Sequence, residues 1–195
     1  MNEVIVDITM SLDGYVTAPG VDAEHGLGVD GEALHNWAFS DDAGDRQVLD
    51  GGTDRTGAVV MGRNLFDIVD APQGWSDEVG YGARNATAPP CFVVTHSQPE
   101  TIRLRDRFTI VADGLESALD QARAAAGDKD VVVMGGGDVC GQVLAAGLAD
   151  ILSLHIAPLI LGGGTPLFVD GSRLELEPTS TVATPNAIHQ TYRLR

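Results

Sequence analysis

The run Asp130-Val131-Val132-Val133-Met134 passes without a break into Gly135-Gly136-Gly137-Asp138, and this junction constrains the fold more than any other feature of the chain. A strand this apolar has no polar face to offer water. It belongs in the interior of a sheet covered on both sides, the usual setting of parallel strands in α/β proteins. The glycines then turn the chain into a helix expected to reach about Ala146, with Asp138 as its cap.

The rest of the chain is consistent with that setting. Glu3 to Met10 reads as a first strand closed by the turn Leu12-Asp13-Gly14, Ala58 to Met61 as a short buried strand, and Phe92 to Thr95 and Phe108 to Val111 as two more. Helical patterns lie between them: Gly31 to Phe39, Asp41 to Leu49 with Ser40 or Asp41 as N-cap and Gly51-Gly52 as a stop, Asn64 to Val69, and Glu116 to Ala126 ended by Gly127. Asp70 to Pro90 is rich in Gly, Pro, Ala and Asp, and a connection of that length is expected to be a lid or disordered. In the last quarter, Ile151 to Leu161, Leu174 to Ala183 and Ala187 to Leu194 are strand-like with no helices between them. The expectation is one α/β domain over residues 1–195: a mixed sheet, mostly parallel, with antiparallel C-terminal strands and helices on both faces.

Charge narrows the partners. The chain has 12 basic and 28 acidic residues, a formal charge of −16 over 195 residues, which disfavours phosphate backbones and anionic membranes. The longest apolar tract, Leu144 to Gly164, is broken by Asp150, His155, Pro158 and three glycines and does not read as a membrane span. Cys91 and Cys140 have no CxxC spacing, and the amino terminus has no signal-peptide pattern, so a cytoplasmic compartment is expected.

Several motifs could carry chemistry. Strand-Gly-Gly-Gly-helix lets backbone N–H groups approach a phosphate at the positive end of a helix, although a tight strand-to-helix turn is the plainer reading. It is not a Rossmann fingerprint, because Cys140 stands where the next glycine is required. It is not a P-loop, because no Lys-Ser/Thr pair follows here or after Gly162-Gly163-Gly164-Thr165. Arg63, after Val60-Met61-Gly62, suits bidentate phosphate binding or a surface ion pair. Asp13 sits on a turn at the exit of the first strand, and Thr95-His96-Ser97 ends another. Arg103, Arg105 and Arg107 form a basic stripe that reads as a solvated edge strand. The five histidines show no metal-ligand spacing, and no Gly-x-Ser-x-Gly elbow occurs.

In order, Ser11-Leu12-Asp13-Gly14-Tyr15, Val60-Met61-Gly62-Arg63, Val93-Val94-Thr95, the Gly135–Gly137 junction, Gly147-Leu148-Ala149-Asp150 and Pro158-Leu159-Ile160-Leu161-Gly162-Gly163-Gly164-Thr165-Pro166-Leu167-Phe168 resemble one family. It is the reductase-domain family of the bifunctional riboflavin-biosynthesis deaminase/reductase, which has the dihydrofolate reductase fold. The resemblance implies an NADPH-dependent reductase, with hydride passing to a small, heterocyclic, pterin- or pyrimidine-like substrate, and a homodimer. A non-catalytic nucleotide- or flavin-binding module of the same fold is the alternative.

By resemblance, Gly135, Gly136, Gly137, Asp138 and Val139 cradle the pyrophosphate, with Gly135-Gly136 a candidate cis peptide. Gly62 and Arg63 hold another part of the phosphates, and Thr95 and Ser97 lie near the adenosine ribose. Asp13 stands at the nicotinamide and substrate as the catalytic carboxylate. Tyr15, Trp37 and Trp75 are candidates to stack on the substrate, with Asp70 to Pro90 as its lid. The zinc-binding deaminase signature is absent from the chain.

Overall fold

Parity along the first strand sorts the two cores. In the computed structural model, which describes residues 2–22, 24–76, 78–83, 85–168 and 173–195, β1 (Val4–Ser11) turns Val4, Val6 and Ile8 to one face of the sheet. Ile5, Asp7, Thr9 and Ser11 alternate with them and point to the other. The remaining strands are β2 (Tyr15–Thr17), β3 (Thr56–Gly62), β4 (Cys91–Val94), β5 (Phe108–Val111), β6 (Asp130–Met134), β7 (Ile151–Ala157), β8 (Thr165–Pro166), β9 (Leu176–Ala183) and β10 (Ile188–Leu194). Eight of them form one sheet in the order β5-β4-β3-β6-β1-β7-β10-β9, while β2 and β8 pair separately. From β5 to β7 all neighbours are parallel, and β10 and β9 are added antiparallel.

β6 lies at the centre as its composition requires. It pairs with β1 through Val4↔Val131 and with β3 through Val59↔Val132. Helices α3 (Leu115–Ala126) and α4 (Gly137–Ala145) cover the face of Val4 and Val6, burying Ala118, Leu119, Ala122, Cys140, Val143 and Leu144. The opposite face carries α2 (Arg63–Val69) over Val59, Met61 and Val93, and α1 (Ala43–Arg55) over β1, β7 and β10.

Several local expectations need correction. Gly31–Phe39 is a 3₁₀ helix whose buried residues Gly31, Leu34 and Trp37 recur every three positions, matching its three-residue turn. The cap of α1 is Asp42, which accepts from the N–H groups of Gly44 and Asp45, because Ser40 is spent on Asp45 and Asp41 on Arg46. Gly51-Gly52 does not stop α1, which runs on to Arg55 with Thr56 Oγ1 donating to Gly52 O at 2.8 Å. Two interior glycines weaken a helix by about 1 kcal/mol each relative to alanine. Gly136, not Asp138, is the N-cap of α4; Asp138 accepts from Gln142 Nε2 in the first turn.

The basic stripe is not an edge strand. Arg103 donates to the carbonyls of Asp70, Val69 and Trp75, and Arg107 to that of Tyr81, so both bind the 70–90 segment to the sheet. That segment serves as face cover: Trp75 stacks on Phe108 at 6.3 Å with Arg107 over its ring, and Tyr81 OH meets Thr56 Oγ1 at 3.0 Å. No cis peptide occurs among the described residues, the Gly135–Gly136 bond included.

Candidate functional site

Two crossover directions meet at the carboxyl ends of β1, β3 and β6. Helices α1 and α2 lead away from β1 on one face, and α3 and α4 return on the other, making this edge the topological switch point where ligands of open α/β sheets bind. Glycines let the strand exits close on one another. A Cβ on Gly62 would lie 2.7 Å from Val139 Cγ2, so the end of β3 packs directly on the first turn of α4. Gly135 has φ +84°, and a Cβ there would fall inside the Leu65 side chain. Gly137 backs onto Pro166 O, at 2.7 Å from a built Cβ.

Gly136 differs from these. It is exposed, and a Cβ there would meet nothing within 4 Å, so bare backbone faces open space at the N-terminus of α4. The first turn of a helix leaves its amides without intrahelical partners, and the macrodipole adds positive potential there. Cys140 below this turn is fully buried, donates to Gly135 O at 3.1 Å, and has its thiol pushed up to about 12 by burial. That thiol is packing.

Arg63 opens α2 beside the same edge. Its Nε donates to Asp67 at 2.7 Å and Nη1 to Ser97 O at 3.2 Å, so the guanidinium bridges the end of β3 to the turn after β4. Thr95 Oγ1 shapes that turn, donating to Ser97 O and accepting from Ser97 N–H. A cleft of about 590 Å³ lies beside it, with Arg63, Ser97, Gln98 and Thr101 in its wall.

Asp13 is exposed but committed. It accepts from Ser11 Oγ at 2.6 Å, Leu161 N–H at 3.1 Å and Gly162 N–H at 2.7 Å. The Ser11 hydrogen bond is the main cause that holds its carboxyl below the ordinary value. Tyr15 follows on β2, its N–H bonded to Ser11 Oγ. Beyond β2, Pro19 lies by Gly163 and Gly26 against Ile68 of α2, so the chain spans this edge between the two loops.

The edge therefore gathers Asp13, Tyr15, Gly62, Arg63, Thr95, Ser97 and Gly135 to Val139. Trp75 is elsewhere, against Phe108 at the amino end of β5. Trp37 is buried on the sheet face, where Nε1 donates to Thr9 Oγ1 at 3.0 Å and the ring lies 4.1 Å from His155 and 4.9 Å from His189.

Around Trp37 is a polar chain that motif reading missed. His155 and His189 face each other on β7 and β10, Nδ1 to Nδ1 at 2.8 Å. His189 Nε2 lies 2.9 Å from Asp45 Oδ1, and His155 Nε2 lies 3.2 Å from Asp7 Oδ1. Asp45 has no exposed surface; desolvation raises its pKa, but bonds from Ser40, Thr184, Asn186 and His189 outweigh that and bring it to about 2. His35 and His189 are lowered, first by burial. Alternation offered one clue, since Asp7, Thr9 and His155 break otherwise apolar strands.

Fold and edge define the class: an open mixed α/β sheet with a glycine-lined crevice at its topological switch. The sequence pattern of the RibD C-terminal domain matches residues 2–190, and the chain belongs to that family, the reductase domain of RibD. It is 24% identical over 186 residues to the uncharacterized protein YyaP of Bacillus subtilis, covering 91% of this chain and 87% of that one. A putative riboflavin biosynthesis protein from Shewanella sp. PV-4 superposes with a TM-score of 0.71 at 24% identity, covering 99% of both chains. A pyrimidine reductase-like protein from Corynebacterium diphtheriae gives 0.67 at 19% identity, covering 100% of this chain and 92% of the other. Acinetobacter baumannii RibD gives 0.65 at 15% identity, with 100% of this chain covered against 58% of RibD. Among the described residues, no helix is long and apolar enough to cross a membrane.

Proposed function

We propose that the protein is an NADPH-dependent reductase of a small heterocyclic electrophile, pterin- or pyrimidine-like. The observation that carries this reading is the bare, exposed Gly136 at the N-terminus of α4, with Gly62 packed on Val139 of that turn and Arg63 following Gly62 at the start of α2. Backbone that presents N–H groups to open space fits a pyrophosphate, and any side chain at Gly136 would intrude on it. In this reading Gly135, Gly136, Gly137, Asp138 and Val139 hold the pyrophosphate, Gly62 and Arg63 another part of the phosphates, and Thr95 and Ser97 the adenosine side. When bound, the nicotinamide supplies the reducing equivalents.

The chain's own residues supply position. Asp13, with its oxygens occupied by Ser11, Leu161 and Gly162, fixes the loop that walls the crevice and orients polar groups; its lowered pKa makes it an acceptor at neutral pH, not a proton donor. Tyr15 stands beside it. The same saturation of Asp13 favours, as a second reading, a module that binds a nucleotide or flavin without turnover. Titration with NADPH, NADH and FMN, followed by NADPH consumption over pterins, pyrimidines and quinones, separates the two. Tight binding without consumption selects the module, and no binding rejects both. A homodimer is part of the proposal, supported by the open edge at β9 and by exposed Ile160 and Ile188 near the end of β7. Light scattering tests it.

A further inference from the structure

A second cleft, of about 250 Å³, lies between α1 and the strands β1, β7 and β10. Its floor is Asp7, Ser153, His155 and Thr191, and its wall includes Gly51, Gly52 and Arg55 of α1. Asp7 precedes the exit of β1 by four residues, about 13 Å along a strand, so this is not the crevice at the carboxyl edge.

Three features of the cleft have no use within the chain. Gly51 and Gly52 weaken α1, yet a Cβ at either would meet nothing within 4 Å, so no packing within the chain requires a glycine at either position. Among the described residues, Arg55 makes no ion pair and the hydroxyls of Ser153 and Thr191 no hydrogen bond. Opposite charges, Asp7 and Arg55, thus stand in one cleft unpaired with each other, in a chain where basic groups are scarce.

One oxygen of Asp7 lies 3.2 Å from His155 Nε2, at the end of the Asp45–His189–His155 chain that opens into the cleft, and its other oxygen makes no hydrogen bond among the described residues. The charged or titratable groups facing His155 are Asp7 on β1, His189 on β10, His35 on the 3₁₀ helix and, through His189, Asp45 on α1; Arg55 is on the wall.

We propose that this cleft is a second ligand site, for a small dipolar molecule with an ammonium or similar N–H end held at Asp7 and an anionic end held at Arg55. The volume is below that of most cofactor sites and suits a molecule of a few heavy atoms. The site does not depend on the reductase reading.

The experiment uses the full chain with its histidine rings ¹⁵N-labelled, titrated with glycine, β-alanine and γ-aminobutyrate, and with acetate and ethylammonium as controls. A saturable shift of the His155 ring signals is expected for at least one zwitterion, with either control at least tenfold weaker. Arg55→Gln and Asp7→Asn should each weaken it tenfold or more. Gly51→Ala with Gly52→Ala should raise Tm through the helix and weaken binding at the same time, an opposition that a merely structural role would not produce. No saturable shift with any zwitterion, equal binding of acetate, an affinity unchanged by Arg55→Gln, or a raised Tm with binding intact would each overturn the proposal.

Discussion

Asp45 offers the sharpest test of what holds α1 and the 3₁₀ helix to the C-terminal strands. Its carboxylate, without exposed surface, accepts from Ser40 at 2.5 Å, Thr184 at 2.7 Å, Asn186 at 2.7 Å and His189 at 2.9 Å. In Asp45→Asn, one acceptor oxygen becomes an N–H₂ group among donors, and at least two of them lose their partner. Hydrogen bonds to a charged acceptor are worth about 1.5–3 kcal/mol each, but they are not additive within one network. We expect a loss of about 3 kcal/mol at pH 7, a fall in Tm of about 6–12 °C for a domain of this size. Urea unfolding at pH 7 reads it directly.

The acid side supplies an independent check. Asp45 is lowered from 3.8 to about 2, so its stabilisation is complete above the unfolded value and is lost as pH falls through the folded one. At pH 3 about 1 kcal/mol of it should be gone, while asparagine has nothing to titrate, so the penalty of the substitution should shrink. Measuring this in a His189→Gln background removes the coupled ring. A penalty below about 1 kcal/mol at pH 7, or one constant from pH 7 to 3, would refute the assignment of Asp45 as an ionised, fully bonded anchor.

Arg63→Ala should weaken NADPH binding about tenfold by fluorescence titration, the modest size reflecting a guanidinium already shared with Asp67; an unchanged affinity rejects the phosphate assignment. Gly135→Ala, forced to φ +84° against Leu65, should cost about 1–3 kcal/mol in urea unfolding, and wild-type stability would show that the junction relaxes freely. Trp75→Ala should cost about 2 kcal/mol by lost packing yet leave NADPH affinity intact, whereas a large loss of affinity would restore the 70–90 segment as a lid. His189, lowered by burial, stabilises fully above about pH 6.5 and less below it, so wild-type stability should fall from pH 6.5 to 5.5 and the His189→Gln substitution should flatten that fall.

Much of the fold was legible because the parallel strands are short, largely apolar runs, and β3 and β6 pass straight into glycine at their carboxyl ends. Val131 to Met134 demanded a central position, and the edge followed from where those runs stop. What stayed hidden depends on pairings across the chain. Asp45 meets three of its four partners 139 to 144 residues away, and little but Ser40, five residues before it, marks it among its acidic neighbours. The arginines at 103 and 107 alternate as they would in a strand, but their partners are carbonyls of a distant segment. Gly51-Gly52 reads as a helix stop because glycine usually is one; α1 runs through both to Arg55, with Thr56 Oγ1 bonded to Gly52 O.

The charge of −16 sets the terms on which such an edge could take a polyanionic cofactor. Long-range repulsion opposes approach, and the arginines offer little relief: Arg46, Arg63, Arg173, Arg193 and Arg195 are paired with carboxylates, and Arg103 and Arg107 bind carbonyls. No basic funnel surrounds the crevice among the described residues. Attraction has to come at short range, from amides at the N-terminus of α4 and from the part of Arg63 not spent on Asp67. Salt then screens more repulsion than attraction. NADPH association should therefore hold steady or accelerate as ionic strength rises from low values in stopped-flow measurements, and a steep slowing would mean that a local positive field outweighs the global negative one.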